Sequence, residues 1–387
     1  MDGQEERAVE KVRPYQICTR CVMDTSDPDI VFDASGQCNH CRDASRIFEA
    51  PPFSLGTEGR RAALDAAVGS IKQKGAGRKY DCVIGLSGGV DSSYTAYVAK
   101  KELGLRPIAV HLDNGWDSEI GVSNIENICR RLDIDLNTYV IDWEEFKDLQ
   151  LSFLKASTPD SEIPSDHAIV SVLYQVATEN RIRCIVGGTN DATESILPFA
   201  WSAGHMDWKY ISAVQRRFGK KRLLTFPHRS ILKHLLYKTL HSIQWFSLLN
   251  YIPYDKEKAK VILRGELGWK DYGRKHGESN YTRIFQEYIL PKKFGYDKRR
   301  AHFSSMIVAG LMSREAALKE LEQPLYKSTD VLAEDIRFLC SKLGISQNDF
   351  KTIMESPKKT ILDYPSYENS VVMKAVWRFA RKVARSR

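Results

Sequence analysis

Residues 80–103 read YDCVIGLSGGVDSSYTAYVAKKEL, a short apolar run that breaks at a glycine pair and resumes as helix-compatible text. The run ending at Leu86 fits a buried parallel strand. Ser87-Gly88-Gly89-Val90-Asp91-Ser92-Ser93 then fits a tight turn feeding a helix. In such a unit successive backbone N–H groups converge and the helix N-terminus adds the positive end of its dipole, so the turn is shaped for an anion. The hydroxyls of Ser87, Ser92 and Ser93 add donors. No Lys follows the glycines as GxxxxGK[ST] requires, and the spacing of GxGxxG is missing. The plain alternative is a glycine turn with Asp91 as an ordinary first-turn helix residue.

Three more strand-like runs follow: 106–116 ending in Asp113-Asn114-Gly115, 136–142, and 181–195. Helix-like text separates them, which predicts an α/β fold with a doubly wound parallel sheet and ligands at the carboxyl ends of its strands. The last run enters Gly188-Thr189-Asn190-Asp191-Ala192-Thr193-Glu194. The carboxylates Asp91 and Glu194 have helix capping as their plain role.

Upstream, residues 18–41 read CTRCVMDTSDPDIVFDASGQCNHC, two Cys-x2-Cys pairs sixteen residues apart. Each pair supplies two corners of a tetrahedron, so Cys18, Cys21, Cys38 and Cys41 are expected to hold a structural Zn²⁺ in a zinc-ribbon-like module over 1–50. IVFD and ASGQ read as a strand and a glycine turn. His40 is a possible substitute ligand; free thiols, disulfides and an iron–sulfur cluster are the alternatives. Four thiolates leave no open position for water, so the chemistry must lie elsewhere.

A length of 387 residues suggests two or three compact units, and 43% hydrophobic with 27% charged residues is an ordinary globular balance. The formal charge of +8 points to anionic partners without choosing among them. The N-terminus has no apolar h-region, so no signal peptide is expected. The apolar stretch 230–252 is interrupted by Lys233, His234, Lys238 and His241, which argues for a buried or partner-facing helix and against a membrane span. Cys82, Cys129, Cys184 and Cys340 are scattered in apolar text, unlike a secreted disulfide framework, so a cytoplasmic location is expected.

The SGGVDSS turn closely resembles the SGGxDS pyrophosphate loop of the ATP pyrophosphatase (PP-loop) superfamily, whose members share the adenine nucleotide alpha hydrolase-like fold. That resemblance implies ATP as cosubstrate, held by Ser87, Gly88, Gly89, Val90, Asp91, Ser92 and Ser93, with Asp113 and Asn114 beside the adenosine. The 188–194 segment is similar to that of ammonia-dependent NAD synthetases. There Thr189 would contact nucleotide and Glu194 would help hold Mg²⁺, with Gly188 and Asn190 alongside; Asn190 and Asp191 depart from the pattern. The implied ATP chemistry calls for a divalent ion, and Mg²⁺ takes oxygen ligands with few protein carboxylates, so Asp91 and Glu194 are the expected pair. CTRCVMDTSDPDI, the turn, LDNGW, GGTN, GHMDWKYI and the text over 265–318 together resemble, in order and spacing, the N-acetyl sugar amidotransferases of bacterial surface-polysaccharide biosynthesis.

This resemblance covers residues 15 to 365. It implies that ATP adenylates an acetamido oxygen on a nucleotide-linked sugar, expected to be UDP-linked, and that ammonia displaces AMP to leave an acetamidino group, in LPS O-antigen or related glycan synthesis. It places the PP-loop domain at 78–250 and a mainly helical substrate or partner region at 251–387. Residue 2 is Asp and no other Cys has a nucleophile's context, so a separate glutaminase is expected to supply ammonia, and the resemblance implies that it works with a cyclase-like barrel subunit.

For the sugar nucleotide, Lys275, His276, Glu278 and Asn280 in GRKHGESNY, and Arg299 and Arg300, are the expected contacts. Arg216-Arg217 with Lys220-Lys221-Arg222, Lys292-Lys293 and Lys298 offer further cations whose plain role is a solvated surface. Trp208, Lys209 and Tyr210 are weaker candidates, and His205 is read as structural or substrate-positioning rather than a base. The basic tail 374–387 reads as a surface helix, with a membrane or partner contact as the sharper option. A tRNA-thiolating enzyme of the same superfamily is the chief rival. It needs reactive cysteines, and no RNA-binding signature is present, so no nucleic acid is expected. A nucleotide sensor without turnover is the non-catalytic rival.

Overall fold

A computed structural model describes residues 13–273, 277–326 and 328–370. Its centre is a five-stranded sheet, all parallel, in the order β3-β2-β1-β4-β5. The strands are β1 (Cys82–Gly85), β2 (Pro107–Asp113), β3 (Asp135–Val140), β4 (Cys184–Gly187) and β5 (Gln244–Ser247). The side-chain period of two explains why both faces bury apolar groups. Val83, Ile108, Val110, Leu112 and Ile185 join the core on one side; Cys82, Ile84, Ala109, Cys184 and Val186 join that on the other.

The helices preceding or crossing the sheet are α1 (Asn39–Phe48), α2 (Gly56–Lys74), α3 (Val90–Tyr97), α4 (Glu119–Leu132), α5 (Trp143–Ala156), α6 (Ile163–Glu179), α7 (Asp191–Glu194), α8 (Trp208–Phe218) and α9 (Ile231–Thr239). Side-chain caps fix several starts: Ser118 for α4, Asp142 for α5 and Asp207 for α8 each accept a first-turn N–H. Beyond the sheet come α10 (Lys256–Leu267), α11 (Asn280–Ile284) with a π-type continuation to Phe294, α12 (Lys298–Val308), α13 (Arg314–Leu321), α14 (Thr329–Leu343) and α15 (Gln347–Glu355). Ala259, Leu263 and Leu267 of α10 belong to the core of the sheet's α2–α4 side.

Two expectations are corrected. The stretch 230–252 is not one helix. It begins as α9, turns through Ser242 at φ +50°, and enters the sheet as β5, pairing Cys184 with Gln244. The turn at His241-Ser242 and the aromatic pair Trp245-Phe246 carry that switch. IVFD is not a strand either. Among its described residues the cysteine module has only isolated bridges, Ile17 to Asp24 and Phe32 to Cys38.

The module docks on α12. Arg314 donates to the carbonyls of Cys18 and Cys21, Ser304 accepts the Val22 N–H at 3.2 Å, and Arg300 binds Asp24 at 3.0 Å and the Val22 carbonyl at 2.9 Å. Among the described residues no helix is long and apolar enough to cross a membrane.

Candidate active site

A cavity of about 360 Å³ opens at the carboxyl ends of the strands, where the chain order reverses between β1 and β4. Ser87, Asp91 and Ser92 reach it from the β1–α3 turn, and Gly188, Thr189 and Glu194 from the segment after β4. These two loops touch: a Cβ on Gly188 would lie 3.1 Å from the backbone of Asp91. The hydroxyls of Ser87 and Ser92 sit 3.1 Å apart, and Thr189 meets Ser247 at 3.1 Å.

Gly88 needs to be glycine for two reasons. Its φ is +77°, and a Cβ there would come within 2.4 Å of the Gly121 carbonyl oxygen in α4. Its own carbonyl accepts from Trp269 Nε1 at 2.9 Å and Asn124 Nδ2 at 3.3 Å.

The two expected magnesium ligands face one cavity from the ends of different strands. Asp91 accepts the Tyr254 hydroxyl, and the Glu194 carboxylate receives the Asn190 N–H at 3.4 Å. Two carboxylates among serine and threonine hydroxyls make an oxygen donor set that would suit Mg²⁺, whose chemistry there would be to neutralise phosphate charge. A PP-loop fold implies ATP and Mg²⁺ as its reactant and ion.

Other expected nucleotide contacts lie elsewhere. Ser93 is fully buried and donates to the Gly89 carbonyl at 2.5 Å; Val90 is in the core. Asp113 accepts the Gly115 N–H at 3.0 Å to close a local turn, whereas Asn114 lines the cavity. Asn190 is buried and caps α7 through Thr193 at 3.0 Å. Short polar side chains at a turn are taken up by the nearest backbone groups, which is why Ser93, Asp113 and Asn190 left the site.

Sequence reasoning missed the cavity's polar wall. His111 Nδ1 is 3.1 Å from the Leu86 carbonyl and Nε2 is 3.4 Å from Asp117. Burial pulls this imidazole down, but Asp117 and the carbonyl outweigh it and leave its pKa raised. Trp116 is buried, lines the cavity, and its Nε1–H has no acceptor among the described residues. The LDNGWD text, which runs out of β2 just after His111 and contains Trp116, was the available signal. Glu162, Ser165 and Asp166 line the cavity from the start of α6, and Glu278, Ser279, Tyr281 and Thr282 close another side.

Of the expected sugar contacts, Glu278 is at the cavity. Asn280 instead opens α11, its N–H on the Trp116 carbonyl at 2.9 Å. Lys275 and His276 lie outside the described residues, as does the tail 374–387. Arg299 binds Asp297 at 2.7 Å and carbonyls of 320–323, and Arg300 holds the cysteine module; neither lines the cavity. Lys293 is buried against the Ile353 carbonyl, and Tyr210 is buried on Thr158.

Behind Glu162 and Asp166 sits a charged cluster. Asp160 is 3% exposed and bonded by Ser202, with His205 Nε2 3.3 Å from both Asp160 and Asp166; Lys298 meets Glu162 at 3.1 Å. Burial lowers the His205 pKa, yet the two carboxylates push it up to about 10. Burial also works against the Asp160 carboxylate, but Lys298 and His205 hold it below its usual range.

A histidine raised above its unfolded 6.5 stabilises fully below that pH, and the contribution fades as pH climbs through 10. His205→Ala should therefore cost about 2 kcal/mol at pH 6, less than a fully buried pair because the ring is partly exposed. The gap to the parent should close toward pH 10, and thermal melts across that range measure it. A gap constant with pH would refute this account.

The four cysteine sulfurs lie within 4.8 Å of one another, with Cys18–Cys41 at 3.8 Å and Cys21–Cys38 at 3.7 Å. Zinc bonds of about 2.3 Å set tetrahedral sulfurs about 3.8 Å apart, so the cluster fits Zn²⁺. Cys18 Sγ also accepts N–H groups of Arg20, Cys21 and Cys38 at 3.3–3.4 Å. His40 Nε2 is 2.6 Å from Asp27 and is not needed as a ligand. Cys82, Cys129, Cys184 and Cys340 are buried, and burial raises each thiol, Cys129 to about 11 and Cys184 to about 12. None of them suits sulfur transfer.

A family model described as "LPS biosynthesis protein WbpG-like, C-terminal domain" matches residues 278–383, and one described as NAD synthase matches 64–233. An uncharacterized protein of Methanocaldococcus jannaschii is 24% identical over 310 residues, 79% of this chain and 93% of its own length. One of the subunits of the glutamine-hydrolyzing GMP synthase of that organism is 33% identical over 128 residues, 33% of this chain and 39% of that protein. The structure of an NH3-dependent NAD synthetase from Campylobacter jejuni aligns at 15% identity over 78% of this chain and 98% of that one, with a TM-score of 0.33. An NAD synthase-type match that is followed by a WbpG-like C-terminal match fits the pattern of the N-acetyl sugar amidotransferases within the PP-loop superfamily.

Proposed function

We propose that this protein uses ATP to convert an acetamido group of a nucleotide-linked sugar into an acetamidino group. One observation carries the reading. The first residues of the WbpG-like region, Glu278, Ser279, Tyr281 and Thr282, share a cavity with the Ser87–Ser92 turn of the nucleotide core. The part that distinguishes this family thus meets the part that handles phosphate.

An amide oxygen is a poor leaving group until it carries a phosphate. In the proposed first step it attacks the α-phosphorus of ATP; the new P–O bond forms as the bond to the β-phosphate breaks and pyrophosphate departs into the turn. Ammonia then adds to the imidate carbon, the C–O bond breaks, and AMP leaves with the former amide oxygen. Backbone N–H groups of the turn offset the phosphate charge, with His111 on the cavity wall beside them, while Asp91 and Glu194 would hold the magnesium that neutralises it. The unpartnered Trp116 N–H offers a donor to the acceptor sugar.

We also propose that ammonia comes from a separate glutaminase with a cyclase-like barrel subunit, and that the sugar is UDP-linked. Synthesis of LPS O-antigen or a related surface glycan is the corresponding setting.

The test is an oxygen label. With ammonium as nitrogen donor and a UDP-acetamido sugar carrying ¹⁸O in the acetamido group, AMP should acquire one ¹⁸O per turnover, read by mass spectrometry. Glutamine should replace ammonium only when a glutaminase is added. Pyrophosphate release with unlabelled AMP would end the adenylation reading.

A further inference from the structure

The apolar stretch that the nucleotide chemistry does not use points outward. α9 exposes Leu232, Leu235, Leu236 and, just past its end, Leu240, at 74, 56, 51 and 74% of their surface. Positions i, i+3, i+4 and i+8 fall on one side of a helix, and Lys233 and Lys238 flank that stripe. The opposite side is firmly seated. Tyr237 stacks on Tyr174 of α6 at 5.1 Å, His234 meets the same ring at 5.6 Å, and Arg229 covers it at 4.7 Å. The leucines are therefore a fixed ridge on a folded support.

Charge identifies what covers the ridge. From residue 208 to 254 the chain has no Asp or Glu and, besides the buried Arg229, eight Lys and Arg. Protein interfaces deplete lysine at their centres and favour aromatic and arginine anchors, with leucine under-represented among the strong contacts. Leucines bordered by lysines match the other case, an amphipathic helix lying at a lipid–water boundary, where the lysine stems extend toward headgroups. We propose that α9 seats the protein on the surface of an anionic lipid bilayer, its leucines at the acyl boundary and its lysines among the phosphates. The helix rests on α6, whose Ser165, Asp166, Ile169 and Leu173 line the cavity, so the lipid surface would lie one helix away from the site.

The full chain should co-sediment with phosphatidylcholine vesicles containing phosphatidylglycerol. It should bind on the order of tenfold more weakly to phosphatidylcholine alone, or in about 0.5 M salt. The variant Leu235→Ser/Leu236→Ser should lose about tenfold or more of that binding with an unchanged melting temperature, since both side chains are exposed. Three results would overturn the proposal. The parent chain stays in the supernatant with both vesicle types. The double variant binds like the parent, which would move the contact to another segment. The parent is a dimer by light scattering and the double variant a monomer, which would make the ridge a contact between copies.

Discussion

Asp91→Asn should reduce pyrophosphate release by on the order of 10³-fold while leaving the melting temperature close to that of the parent. The asparagine keeps an oxygen for the Tyr254 hydroxyl, so the local hydrogen bond survives. What it loses is the negative charge that would attract a metal between Asp91 and Glu194. Coupled pyrophosphate detection with ATP, ammonium and a UDP-acetamido sugar gives the rate, and circular dichroism gives the melt. A variant retaining about a tenth of the parental rate or more would remove Asp91 from the chemistry. Loss of rate with loss of fold would show that the Tyr254 contact, not the charge, is what matters.

Cys18→Ser should act on the other side of that divide, on folding. A structural zinc contributes on the order of 10 kcal/mol, comparable with the whole stability of a domain. Cys18 accepts three N–H groups besides its place in the cluster, and Arg314 grips its carbonyl, so the loss reaches the helices on which the module docks. α12 also meets the nucleotide side, where His302 Nδ1 donates to the Thr193 carbonyl beside Glu194 at 3.1 Å. The expected outcome is insoluble protein, or soluble protein without zinc by elemental analysis and melting about 10 °C or more below the parent. A Cys18→Ser chain with a full zinc equivalent and parental stability would refute the four-thiolate site.

What could be read from the residues was local. The turn and the cysteine pairs declare themselves because a spacing of a few residues fixes their geometry, and the parallel sheet because its strands are apolar on both faces. The place of Arg299 and Arg300 away from the cavity could not be read, because a cation's partner is not visible in its neighbourhood. The Val22 carbonyl that Arg300 binds is 278 residues away. Asn190 was ambiguous in the opposite way, since a capping role and a ligand role call for the same side chain. The polar wall of His111, Trp116 and Asp166 was hidden for a third reason. It exists only where β2 and α6 converge, and no single segment carries it.

The carbonyl of Gly88, held by Trp269 and Asn124, has a thermodynamic consequence. A loop that must stiffen around a triphosphate surrenders conformational entropy at each residue it orders, about 1–2 kcal/mol apiece. This one is braced from behind by two side chains from separate segments, and its glycine is pressed against the backbone of α4. In the proposed reaction little disorder would remain to be lost on binding, so more of the attraction between the turn and a diphosphate would be left to favour departure of the leaving group.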